Sequence, residues 1–518
     1  MIEQVKINYQ RKNSGIAIED CFGRKLTWED LYLKSNCIAN CILKSQNLRK
    51  EPIAICLDNC VEWFVIFLGV IKAGSIAVPI NPNHTEKDMR HAILSTGCKC
   101  IFFNEQFEDK IRVVCENTNH DIKLFSLGNS NLPNNISVGQ VLDNYSVEEP
   151  YVQIFPEDVV CIYFSSGTTG ASKPVCISLR SLTVAGKIEV KHHLQNETDY
   201  FACVAPLYHM GALCHWLGSF FSCSSTLLYT YSTPDKLLET ISKKRITIVW
   251  LLLPWVQDII DAVETNYINV SNYNFDSWRL MHMGAQPIPE EVVIKWRRLF
   301  PNQQFDISYG LTESGGPGCI HIGIGKEFKR QMLGYPDDEW EVCIKNNFSL
   351  TQHPNIEGEI LVRGPGLMKG YYNDESSTKA VLSDEGWLYT GDIGMFDENG
   401  IVYFTGRKKD IIIVGGENIY PLEIENHIKE VSWVKDVAVI GIPHKRLGEV
   451  VGAVIEPSQN IDVNFVKKVV KKHCRSLPAY MQPLSFFFDV VPRNSTGKID
   501  KKVLCLKYIM KSGDEYNG

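Results

Sequence analysis

Apolar and polar positions follow two periods along this chain, and the period switches repeatedly over the first hundred residues. Apolar residues spaced by three and four predict a helix over 27 to about 47 and another over 60–73, the second stopped by Gly74. Short continuous apolar runs at 53–57, 76–80 and 99–103 predict buried strands, the middle one closed by Asn81-Pro82. That rhythm predicts an α/β fold with a mostly parallel sheet. Residues 118–150 are polar and without period, and no element is predicted there.

Further apolar runs at 159–164, 200–205, 226–230, 246–253, 278–283 and 305–308 predict more strands with helical patterns between them. Ligands of open α/β sheets collect beyond the carboxyl ends of the strands. The strand ends at Ser165, Pro206, Gly284 and Tyr309 are therefore expected to share one crevice. From 334 to 404 the pattern shortens into β-like pieces separated by turns, which predicts a β-rich subdomain on a large lobe spanning 1–408. A smaller α/β module follows over 410–518. Its Pro421 suits the first position of a helix carrying Leu422, Ile424, Glu425 and Ile428. A strand is predicted at 437–440 and a basic helix at 465–474. Lys467, Lys468, Lys471 and Lys472 on that helix fit either a solvated face or contact with a phosphate-bearing partner.

A length of 518 residues calls for two or three lobes, and an apolar fraction of 44% fills their cores and excludes a disordered class. The net charge of −7, without a basic block, gives no reason to expect a nucleic-acid partner. The longest strongly apolar stretch, 246–256, is shorter than a bilayer span, so no integral membrane contact is expected. The first residues lack an apolar signal core, and the expected location is cytoplasmic. The 17 cysteines are scattered, with no CxxC pair; they read as reduced, mostly buried thiols, and a structural zinc site is not expected.

Chemistry enters at SSGTTGASK, residues 165–173, directly after an apolar run. Gly167 and Gly170 permit positive φ and close approach, so backbone N–H groups can form a nest for anionic oxygens. Ser165, Ser166, Thr168 and Thr169 add hydroxyls, and Lys173 adds a charge. Because Ala171 follows Gly170, the stretch departs from the Walker pattern. Taken alone it could also be a polar surface turn.

Five further segments stand in order: PLYHMG (206–211), YGLTE (309–313), TGD (390–392), GRKKDIIIVGGENIYPLEIE (406–425) and NSTGKID (494–500). With the loop, they resemble the adenylate-forming superfamily of acyl- and aryl-CoA synthetases, luciferases and peptide-synthetase adenylation domains. The resemblance covers essentially the whole chain and looks closest to the acyl-CoA synthetase branch, including carnitine-CoA and coumarate-CoA ligase-like members.

Several expectations follow from the resemblance. Residues 165–170 and Lys173 would hold the phosphates of ATP, with Thr312 beside them. Glu313, a hard oxygen donor at a strand-end loop, would hold Mg²⁺. Tyr309, with Gly310, would flank the adenine, and Gly284 and Ala285 would form the loop on its other side. Asp392, assisted by Arg407, would accept the ribose hydroxyls. Lys498 would bridge the acid's carboxylate and the α-phosphate, and Lys409 would be the hinge of a mobile C-terminal domain. Gly415, Gly416 and Glu417 would face the pantetheine arm of CoA. His209 would lie beside the acyl carboxylate, with Met210, His215 and Trp216 continuing into a largely apolar acyl pocket.

Two departures from the family pattern stand out. Pro174 follows Lys173 where relatives carry glycine, which holds Lys173 out of the helical region. PLYHMGALCHW contains no Asp of the kind that meets an α-amine in amino-acid-adenylating relatives, which disfavours an α-amino acid. The implied activity is an ATP-dependent carboxylate–CoA ligase acting on a medium-chain or aryl acid. A carrier protein's phosphopantetheine is the alternative acceptor, and the oligomeric state, monomer or homodimer, is left open. A catalytically silent protein of the same fold is disfavoured because Glu313, Asp392, Lys409 and Lys498 are all present.

Overall fold

Two sheets build the large lobe. In this computed structural model, which describes residues 1–45, 48–118, 122–165, 172–346, 349–458, 461–493 and 498–515 (side chains to 509), the longer sheet has 14 strands and the other 8. The middle of the long sheet is parallel: Ser225–Leu228, Tyr200–Cys203, Ile248–Leu252, Leu280–Gly284 and Gln304–Leu311 lie side by side. Ile248–Leu252 and Leu280–Gly284 are buried along their whole length. That is why they read as unbroken apolar runs rather than alternating ones.

Gln304–Leu311 is where the long sheet changes character, being parallel to one neighbour and antiparallel to the other, Gly316–His321. Met332–Pro336, Val402–Arg407, Leu388–Phe396, Gly358–Arg363 and Glu341–Lys345 then continue it antiparallel. The β-rich stretch is thus an extension of the same sheet. In the second sheet Pro52–Cys56 lies between Ile76–Pro79 and Cys100–Phe103, all parallel. The aperiodic stretch after 118 holds structure the pattern did not predict: strands Lys123–Ser126 and Asn135–Ser137, then helix Val138–Asn144 opened by a Ser137/Gln140 capping box. Strands KLFS and NIS carry two and one apolar residues, so they form no apolar run.

Helix Val61–Lys72 is buried almost all round, and its Trp63, Phe64 and Phe67 are each 0% exposed. It meets helix Met210–Ser222 through Phe64 and Trp216, whose rings stand 4.4 Å apart.

The C-terminal domain has its own sheet, built on the long hairpin Val434–His444 and Gly448–Pro457, with Ser485–Phe488 added parallel. Pro421 opens the predicted helix Pro421–Lys429, and Val463–His473 buries Val466 and Val470 beneath its lysines. A separate apolar core including Ile424, Val439, Val451 and Val466 holds this domain together. All 17 cysteines are free and most are buried, and no described helix is long and apolar enough to cross a membrane.

Candidate active site

Val159–Phe164 and Pro174–Ser178 pair antiparallel and flank the predicted phosphate stretch. Its mouth is closed by the Ser165 N–H donating to the Lys173 carbonyl at 3.0 Å and by the Lys173 N–H donating to Ser165 Oγ at 3.3 Å. Ser166, Gly167, Thr168, Thr169 and Gly170 lie outside the described residues. Pro174 does begin a strand, in keeping with an extended backbone at the proline step.

One aromatic ring joins this loop to the predicted metal ligand. Lys173 Nζ stands 4.7 Å over the ring of Tyr371, and the Tyr371 hydroxyl donates to Glu313 Oε1 at 3.0 Å. Tyr371 is placed there by the short strand Gly370–Tyr371, which pairs with Pro174–Ser178. Glu313 and Thr312 occupy the turn that ends strand Gln304–Leu311. Sequence reasoning missed Tyr371, which occurs as one of two adjacent tyrosines with nothing to distinguish it.

A second cluster forms on the other side of the same strand end. The Tyr309 hydroxyl donates to Asp392 Oδ2 at 2.8 Å, and Arg407 Nε lies 3.0 Å from Asp392 Oδ1. Asp392 and Arg407 are direct cross-strand partners, which fixes the pair geometrically. Burial, then the Asp392 charge, holds the Tyr309 phenol well above its usual range, so it acts as a neutral donor. Gly310 has a steric reason: a Cβ there would sit 2.3 Å from the Gly316 carbonyl oxygen. Ala285, just past the end of Leu280–Gly284, is exposed with φ +71, a strained conformation for a residue with a Cβ.

Lys498 enters the cleft from the small domain. Arg493 and Ile499, the residue after Lys498, form an isolated bridge, and Arg493 is ion-paired with Asp436, which also pairs with Lys429 at 3.0 Å. Burial, then the neighbouring Arg407, pushes the Lys498 ammonium down to about 8, while Asp392 and Glu313 act the other way. His209, the residue capping helix Met210–Ser222, is driven down to about 4 by burial and then by Lys498. Its Nε2 is buried with no hydrogen-bond partner. A neutral imidazole, an ammonium, a guanidinium and two carboxylates therefore share one cleft. An unpartnered ring nitrogen beside clustered cations fits an incoming carboxylate and phosphate groups.

The structure does not bring every predicted residue to that cleft. Met210 is buried at the start of its helix, near Gly316. Trp216 packs on Phe64 and Phe220, at 4.4 and 5.0 Å between rings, so it belongs to the core under the helix. His215 is not in apolar surroundings either, since its Nδ1 lies 2.9 Å from Glu189 Oε2. The indole lying closer to the predicted adenine and acyl sides is Trp250, whose atoms come within 3.1 Å of a Cβ built on Gly211 and 3.2 Å of one on Gly284. Lys409 lies exposed in the turn Lys408–Asp410, between strand Val402–Arg407 of the large lobe and Ile412–Val414 of the small domain. Gly415 and Gly416 form the exposed turn of a small-domain hairpin, with φ +61 and +97, and Glu417, also exposed, begins its second strand.

Comparison with known proteins identifies the family. A family profile described as AMP-binding enzyme matches residues 6–372, and one described as AMP-binding enzyme C-terminal domain matches 423–498. The chain is 27% identical over 500 residues to a 4-coumarate–CoA ligase of Pinus taeda, covering 94% of this chain and 90% of that protein. ATP-bound MatB from Rhodopseudomonas palustris superposes with a TM-score of 0.87 at 24% identity, covering 98% of this chain and 99% of that one. O-succinylbenzoate coenzyme A synthetase from Bacillus subtilis, in complex with ATP and magnesium, superposes with a TM-score of 0.81 at 24% identity, covering 96% and 98%. The chain belongs to the AMP-binding enzyme family, within the adenylate-forming superfamily.

Proposed function

We propose that this enzyme is an AMP-forming acid–CoA ligase. The observation that carries the proposal is the meeting of Lys498, from the small domain, with Arg407, Asp392 and Glu313 of the large lobe, beside the unpartnered Nε2 of His209. In the first half-reaction a carboxylate oxygen attacks the α-phosphorus of ATP and pyrophosphate leaves. Two anions must approach, and Lys498 between them lowers the barrier because negative charge grows on the transferring phosphoryl group. Asp392 accepts the ribose hydroxyls, with Arg407 paired to its other side. Ser165, Lys173 and Thr312 face the phosphates, and His209 Nε2 offers the acid a hydrogen-bonding contact. Glu313, steered by Tyr371, is the ligand for Mg²⁺, which when bound would neutralise charge between phosphates.

In the second half-reaction a thiol sulfur attacks the acyl carbon, the acyl–oxygen bond breaks, and AMP leaves with that oxygen. Free CoA is the acceptor supported by the names of the relatives, and the exposed Gly415–Gly416 turn gives a slender thiol arm room. The acid is a medium-chain or aryl carboxylate. Support comes from the missing amine-binding Asp after PLYHMG and from Trp250 near Gly211 and Gly284. The test is a carboxylic-acid panel screened by pyrophosphate release, with and without CoA. The expected result is acid-dependent pyrophosphate and CoA-dependent AMP. Exclusive use of α-amino acids, or thioester formed only on a holo-carrier protein, would overturn the substrate and acceptor parts respectively.

A further inference from the structure

Behind Trp250 lies a group of buried side chains that the proposed reaction does not use. Helix Leu179–His193 carries Glu189 and His193 one turn apart on the same face. Helix Met210–Ser222 supplies His215, and strand Leu280–Gly284 supplies His282. The four residues are between 0 and 2% exposed. One potential ligand atom from each lies within 4.8 Å of all the others. We propose that Glu189, His193, His215 and His282 form a closed site for a divalent transition metal of the zinc class, tying the two helices to the strand that ends at Gly284.

The side-chain orientations favour a metal. Glu189 Oε2 lies 3.0 Å from His193 Nδ1 and 2.9 Å from His215 Nδ1, so three donor atoms already face one point. The His282 ring meets those of His193 and His215 edge-on, with centroids 4.7 and 4.3 Å away. His282 Nε2 is engaged by Ser308 Oγ at 3.0 Å, while its Nδ1 is buried with no partner. Glu189 Oε1 is buried without one as well. A ring nitrogen and a carboxylate oxygen left unpaired in the same buried group are what a bound cation would satisfy.

A carboxylate also stands behind one of the rings. Asp306 Oδ2 lies 3.3 Å from His193 Nε2, which makes no hydrogen bond, and Asp306 Oδ1 accepts the backbone N–H groups of Ile307 and Gly323, each at 2.8 Å. A carboxylate so placed can take the N–H of a ligating imidazole and fix its tautomer. Three imidazoles and one carboxylate suit a borderline ion such as Zn²⁺ and do not suit Mg²⁺ or Ca²⁺, which select oxygen ligands. A spacing this small, with no exposed ligand, fits an ion better than part of a substrate. The group His427, Glu430 and His473 in the small domain is a weaker candidate. It is partly exposed, and backbone carbonyl oxygens occupy His427 Nε2 at 3.2 Å and His473 Nε2 at 3.0 Å.

The full-length enzyme, purified without an affinity-tag metal, should be dialysed against buffer and its metal content measured by mass spectrometry. The expected content is about one zinc per chain. Replacement by Co²⁺ should give the intense visible absorption of a tetrahedral site. His282→Gln and Glu189→Gln should each lose the metal and that absorption while keeping a native circular dichroism spectrum, and His473→Gln should keep both. Metal-stripped enzyme should regain thermal stability on addition of Zn²⁺. The proposal is overturned if wild-type protein holds under about a tenth of an equivalent and Zn²⁺ leaves its Tm unchanged. It is equally overturned if binding survives in His282→Gln, or if metal-free wild type is normal and Glu189→Gln alters only acid preference.

Discussion

At the scale of single residues, the cleft is organised by charge. Lys498 must be an ammonium to stand between two anions, so lowering its pKa to about 8 sets an upper limit on working pH. The protonated form is present below that value and lost above it, and kcat/KM for ATP should fall as pH rises through about 8. Lys498→Arg keeps the charge and should move that descending limb to higher pH, at a lower plateau because the guanidinium has a different shape. Lys498→Ala should nearly abolish adenylate formation while preformed acyl-adenylate is still converted with CoA. Tyr371→Phe removes the hydroxyl held by Glu313 and should raise KM for Mg-ATP about tenfold, the scale of one hydrogen bond to a charged group, about 1.5 kcal/mol. Its KM for the acid should not change.

Much of this was legible in the sequence, because adenylate-forming motifs sit where strands end and strands announce themselves as apolar runs. Asp392 and Arg407 were readable from TGD and GRKKD, and the structure adds that they are cross-strand partners. Tyr371 was not readable, since its role depends on a two-residue strand pairing far along the chain. Trp216 was misassigned because linear distance from His209 says nothing about which helix face a side chain takes. His282 did leave a signal, a lone histidine inside the otherwise apolar run LMHMG.

At the scale of elements, most of the parallel core was predicted strand by strand, while Ile16–Asp20, parallel to Ser225–Leu228, and helix Ile2–Lys12 were missed along with shorter elements. Residues 118–150 failed because their strands, KLFS and NIS, hold too few apolar residues to stand out as runs, unlike the equally short CIFF. Within the antiparallel part of the long sheet, one strand packs so closely on its neighbour that only glycine fits. Gly334, at φ +117, would place a Cβ 2.1 Å from the His321 carbonyl oxygen. Gly334→Ala should therefore destabilise the large lobe by about 3 kcal/mol or more, read as a lower chemical-denaturation midpoint. Gly400→Ala, with φ +76 but open space around its Cβ, should cost less, about 1 kcal/mol.

At the scale of the whole molecule, two bodies with separate cores meet over one cleft, and the small one supplies Lys498. A group needed for only one half-reaction can sit on a domain that turns away for the other. We propose that Lys409, in the turn Lys408–Asp410, is the hinge. Lys409→Pro, with φ held near about −65°, should keep adenylate formation and slow thioester formation in single-turnover experiments. Equal loss of both steps would remove the hinge role.

The central claim is that the acid is activated on the α-phosphorus and released from AMP by a thiol, and an isotope reports it directly. An accepted acid labelled with ¹⁸O in its carboxylate is turned over with ATP, Mg²⁺ and CoA, and the phosphorus products are weighed by mass spectrometry. Carboxylate attack on the α-phosphorus, followed by thiol attack on the acyl carbon, should leave one labelled oxygen in AMP and none in pyrophosphate. ADP as the nucleotide product, with the label in inorganic phosphate, would contradict it.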